Sequence, residues 1–74
     1  MKKFIVNEKS KEVMIKNNVP EKLHKLVIGI IICITTDIDR KYDKAKSIIE
    51  LESLNLSDKE IKFAQNKALS IIYS

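Results

Sequence analysis

At 74 residues the chain has material for one domain with a small core. Its 45% hydrophobic content is too high for a disordered segment, and a lone cysteine excludes an internal disulfide. That cysteine suits a reducing compartment, so a cytoplasmic location is expected. The net charge of +4 falls entirely in residues 1–34, since residues 35–74 carry seven basic and seven acidic side chains.

Taken in order, Phe4-Ile5-Val6 and Val13-Met14-Ile15 are two short apolar triplets around a polar hexapeptide. That pattern predicts a β-hairpin or extended arm over 1–18. The loop has no glycine for a left-handed position, so Asn7 or Lys11 has to serve. The alternative is a short helix from Glu8 to Asn17. Asn17-Asn18-Val19-Pro20 then breaks the chain, with Asn18 as a candidate N-cap and Pro20 suited to a first helical turn.

A first helix is expected over 19–35. It contains the most apolar stretch of the chain, Leu26 to Ile34, nine residues without a polar side chain. The stretch is too short to span a bilayer, which needs roughly 17–25 apolar residues, and it lies in the wrong place for a signal peptide. Leu23, Leu26, Val27, Ile30, Ile31 and Ile34 fall within an arc of about 140° at 100° per residue. Ile28 and Ile32 fall outside this arc, beside Glu21 and Lys25. A helix apolar on all sides must be buried on all sides, either by its own chain or by a second copy. We assign Ile28, Gly29 and Ile32 to a self-association surface on that basis, with Gly29 permitting close approach of two backbones.

A second helix is expected over 37–54, capped by Thr36 or Asp37, although the phase of Ile38, Tyr42, Ala45 and Ile49 would almost allow one rod with the first. Leu51 and Leu54 lie off its main stripe and widen the apolar face. The third helix, 58–73, has the clearest start. Ser57-Asp58-Lys59-Glu60 is a capping box, and Leu56 and Ile61 hold the positions of a hydrophobic staple. Ile61, Ala64, Ala68, Ile71 and Ile72 share one face. Phe63 points about 200° away from Ile61.

No catalytic motif is present. There is no glycine-rich phosphate loop, because Gly29 is the only glycine. His24 and Cys33 would lie about 180° apart on one helix, so a single chain does not pair them. His24 reads as a partly exposed helix residue. Asp39 and Asp43 share a face with Arg40, Lys44 and Lys46 nearby, the composition of a solvated surface. An enzyme is not expected, and neither a cofactor nor a metal is implied.

The fold class is thus mostly α: a small three-helix domain with a short N-terminal hairpin or arm. The expected function is that of a small non-enzymatic protein-interaction module. It self-associates as a homodimer or larger and acts as an inhibitor or regulator by binding another macromolecule. Phe63, Leu51 and Leu54 are the candidate partner-binding residues. The alternative is a small basic nucleic-acid-binding regulator, with contacts from Lys2, Lys3, Lys9, Lys11, Lys16, Lys22 and Lys25. One arginine among fourteen basic residues argues against base-specific reading of a duplex.

Overall fold

A computed structural model describes residues 8–73, with side chains from Lys11 onward. Four helices are joined by short turns: α1, Glu8–Lys16; α2, His24–Thr35; α3, Asp39–Ser53; and α4, Asp58–Tyr73. A single 3₁₀ turn, Glu21–Leu23, leads into α2. Among the described residues the protein is mostly helical, with no strand.

Val13-Met14-Ile15, which would form the second strand of the expected hairpin, is therefore helical. Phe4-Ile5-Val6, Lys2 and Lys3 lie outside the described residues. The helix is favoured because its end can be sealed locally. Asn18 takes the left-handed conformation at φ 59°, which asparagine tolerates better than most residues. The Val19 N–H then donates to the Met14 carbonyl at 2.9 Å and the Asn18 N–H to the Ile15 carbonyl at 3.0 Å. This is the Schellman arrangement, and its usual apolar pair is present as buried Met14 and Val19. Asn18 thus closes α1 and does not cap the next helix. The chain restarts at Pro20, whose carbonyl accepts from the Leu23 N–H at 2.9 Å.

α2 and α3 are separate helices. Thr36 ends α2 in an extended conformation, with its N–H still donating to the Ile32 carbonyl. The Thr36 hydroxyl accepts from the Ile38 N–H at 3.2 Å, which turns the chain. The N-cap of α3 is Ile38, without a side-chain cap, in place of the expected Thr36 or Asp37. At α4 both bonds of the capping box are made. Glu60 N–H donates to Ser57 Oγ at 3.2 Å, and Ser57 N–H donates to Glu60 Oε1 at 2.9 Å.

α2 is the hub. α1, α3 and α4 each pack on it, whereas α3 and α4 barely touch each other. Gly29 faces Ala45, Ile48 and Ile49, and Cys33 lies against Tyr42, so α3 runs antiparallel to α2. The core gathers Met14, Val19, Leu23, Leu26, Val27, Ile28, Ala64 and Ala68. Alanines at 64 and 68 allow α4 to approach closely. His24 is buried, not partly exposed. Its Nε2–H donates to the Val19 carbonyl at 2.9 Å, so the ring ties the start of α2 to the close of α1.

Cover on α2 is graded along its axis. His24 and Leu26 through Gly29 are buried, with Lys25 between them exposed, Ile30 through Cys33 are half-buried, and Ile34 is 46% exposed. Ile28, outside the periodic stripe, is buried, and Ile34, inside it, is not. The reason is that α1 and the 3₁₀ turn enclose only the first half of α2.

Gly29 marks the closest approach of α2 and α3. A Cβ there would meet Ile49 Cγ1 at 3.2 Å and the Ala45 carbonyl oxygen at 3.5 Å. Ile49 is half-buried and can give by a few tenths of an ångström, while alanine gains about 1 kcal/mol of helix propensity over glycine. Gly29→Ala should therefore change unfolding free energy by less than about 1 kcal/mol. Gly29→Leu should lose about 2–3 kcal/mol by forcing the helices apart. Urea denaturation measures both. Equal losses for the two variants would show that the helices are not in close contact at this position.

Candidate functional site

The side chains with chemical potential are dispersed. His24 and Cys33 are separated by about 13 Å along α2, at 1.5 Å per residue. The His24 ring is already committed to Val19. Burial raises the Cys33 thiol above its ordinary pKa, against an opposing pull from the Lys46 charge, so the sulfur stays protonated at neutral pH. It sits 3.8 Å from the Tyr42 carbonyl oxygen as a weak donor. A protonated thiol without an adjacent base is not an activated nucleophile. Asp39 and Asp43 are both exposed. Among the described residues no group of three or more His, Cys, Asp or Glu side chains gathers as a metal site would. No helix there is long and apolar enough to cross a membrane.

The residues assigned to self-association are largely covered by their own chain. Ile28 is only 7% exposed, and Gly29 is buried against α3. Ile32 is half-buried and packs at the edge of the core. These positions are used to hold the monomer together. Ile28 and Gly29 leave little surface for a second copy.

The uncovered apolar surface lies further along. Ile34, Ile38 and Tyr42 are exposed around the α2–α3 turn. Lys22 and Glu60 form an ion pair that brings the starts of α2 and α4 together. The two helices pack on each other from there. Leu69 and Tyr73, one turn apart on α4, are exposed as well. Sequence periodicity could not find this cluster, because it treats every residue of a stripe as equally covered.

Leu51 and Leu54 are exposed at the opposite end, on the last turn of α3, and Leu54 is 79% accessible. Phe63 is on the second turn of α4 and is 39% exposed. Its ring has the Lys67 ammonium 5.5 Å from the centroid. The three candidate partner residues thus stand on two helices that hardly touch.

Lys11, Lys22 and Lys25 line a cleft of about 450 Å³, together with Glu21, His24 and Glu52. The basic half of the sequence is therefore not a uniformly positive surface, since carboxylates are interleaved with the lysines. Lys16 is also exposed, and Lys9 lies within α1. A different positive surface occurs on α4. Lys59, Lys62, Phe63, Asn66, Lys67 and Ser70 project within an arc of about 140°, opposite the Ala64/Ala68 face. Summing charge over residues 35–74 hid it, because Asp58 and Glu60 on α4 and Asp37 in the preceding turn cancel the three lysines of α4, while α3 is neutral by itself.

No family model matches this chain, and neither the curated proteins nor the solved structures compared with it contain a similar one.

The Lys22–Glu60 pair links α2 and α4 electrostatically. The Lys22 ammonium first, and the Ser57 N–H second, hold the Glu60 carboxyl below its ordinary pKa. A lowered carboxyl contributes stability above its unfolded pKa and loses it as pH falls through the folded one. The loss should begin as pH drops past the ordinary value of 4.5. Because the pair is exposed, the step is small. Thermal melts of wild type and Glu60→Gln between pH 7 and about pH 3 should converge at the acid end. A constant gap across that range would show that the carboxylate charge contributes nothing.

Proposed function

We propose that this chain is a small non-enzymatic interaction module. It self-associates through the open end formed by the α2–α3 turn and the last turn of α4, and it regulates or inhibits another macromolecule by binding it. The observation that supports this reading is the exposed apolar row Ile34, Ile38 and Tyr42 around the α2–α3 turn, with Leu69 and Tyr73 exposed on the last turns of α4. A contiguous apolar surface is costly to leave in water, and exposed patches of more than a few hundred Å² commonly mark interaction sites. A two-fold dimer would bring the same patch from each copy together. The turn around the row carries Asp37, Asp39 and Asp43 as well as Arg40, Lys44 and Lys46. A rim with both signs of charge can pair with itself across a two-fold axis. Leu51 and Leu54, at the other end, stay free for a further partner.

Sedimentation velocity from micromolar to hundred-micromolar concentration tests this. The expected result is a species heavier than the 8.5 kDa monomer whose fraction grows with concentration. Ile34→Asp and Ile38→Asp alter side chains that are 46% and 36% exposed, so each should cost about 0.5–3 kcal/mol and leave the chain folded by circular dichroism while the heavier species disappears. A single 8.5 kDa species throughout would refute self-association and leave the apolar end to a different protein.

A further inference from the structure

We infer that the outer face of α4 is a binding site for single-stranded nucleic acid, with Phe63 stacking on a base and Lys59, Lys62 and Lys67 engaging phosphates. This site lies on α4 ahead of Tyr73, which falls in the same arc and belongs to the apolar end, and it does not depend on self-association. Three features carry it. The first is charge. Lys59, Lys62, Asn66 and Ser70 are exposed, Lys67 is half-exposed, and no carboxylate falls within their arc. The acids of α4, Asp58 and Glu60, lie outside it, and Glu60 is paired with Lys22. The face is therefore complementary to a polyanion, unlike the cleft of Lys11, Lys22 and Lys25, where glutamates intervene.

The second feature is the ring. Phe63 is absent from the core cluster and is 39% exposed. The Lys67 ammonium lies over the ring, 5.5 Å from its centroid, so a stacking base takes its place and leaves the ammonium to pair with a phosphate. An accessible aromatic ring beside lysines is the pattern that binds unpaired bases, because stacking works with any base and the ammonium groups track the backbone. The third feature is what the face lacks. It has no arginine to grip base edges in a groove, so duplex reading is not its chemistry. Asn66 and Ser70 add uncharged hydrogen-bonding groups at the centre of the arc. A base stacked on Phe63 would place its sugar-phosphate within reach of Lys67 on one side and Lys62 on the other. Binding should be tolerant of sequence, weak to moderate, and sensitive to salt.

Fluorescence anisotropy with end-labelled oligo-dT, oligo-U and a duplex of the same length tests the proposal. Both single strands should bind more tightly than the duplex. Their relative affinities show whether the 2′-hydroxyl is used. With three phosphate contacts the slope of log K against log salt should be about −2, at about −0.7 per contact. Lys59→Ala, Lys62→Ala and Lys67→Ala should each make it shallower by about 0.7. Phe63→Leu keeps the apolar bulk and removes the aromatic face, so it should weaken single-strand binding at least about five-fold without changing the circular dichroism melt. Phe63→Tyr should retain wild-type affinity. No single-strand binding at low salt would overturn the proposal and leave Phe63 to a protein partner. Equal affinity of Phe63→Leu and wild type, or duplex binding as tight as single-strand binding, would also overturn it, because either reduces the face to unspecific charge.

Discussion

Burial of the first half of α2 is the constraint on which the rest of this small fold depends. Leu26 and Val27 are fully enclosed, and each such side chain contributes about 1.5–3 kcal/mol relative to exposure. In a chain of 74 residues that is a large part of the stability that a single core can supply. The other elements are arranged to provide this cover. α1 is closed by Asn18 so that Met14 and Val19 fold back onto the core, His24 fixes that junction, α3 approaches at Gly29, and α4 approaches through Ala64 and Ala68. Small residues at the two main contacts leave the bulky isoleucines of α2 to fill the space between helices.

The same arrangement explains why the cover runs out. Three helices and one turn pack on α2, and the described part of α1 contributes Met14 to the buried core. Beyond Gly29 the isoleucines at 30, 31 and 32 are half-buried, and Ile34 is 46% exposed. The surplus apolar surface is therefore concentrated at one end, beside Ile38 and Tyr42. The basic face of α4 is a second, chemically different surface.

Much of this was legible in the sequence wherever a signal is local. The capping box at Ser57 and Glu60 requires residues only three apart, and both of its bonds are made. The mostly helical character follows from periodicity. The apolar run at Leu26–Ile34 identified the organising helix. What was not legible depends on tertiary geometry. Periodicity assigned Ile28, Gly29 and Ile32 to a surface between copies, but a neighbouring helix of the same chain takes up Gly29. The Val13–Ile15 triplet resembled a strand because two β-branched residues flank Met14, yet the decisive feature was Asn18, whose left-handed conformation closes a helix. Asn18 was instead read forward, toward Pro20. Likewise His24 reads as partly exposed from sequence because its partner is a backbone carbonyl, which no sequence pattern marks.

Amide hydrogen exchange of α2 tests the central claim most directly, namely that the chain itself and not a second copy buries the first half of this helix. The account predicts that the amides of Ile28 to Ile32 exchange most slowly in the molecule, through global unfolding, and that they are already strongly protected at concentrations where the monomer predominates. Protection of these amides no greater than that of α1, or protection that appears only at high concentration, would contradict it.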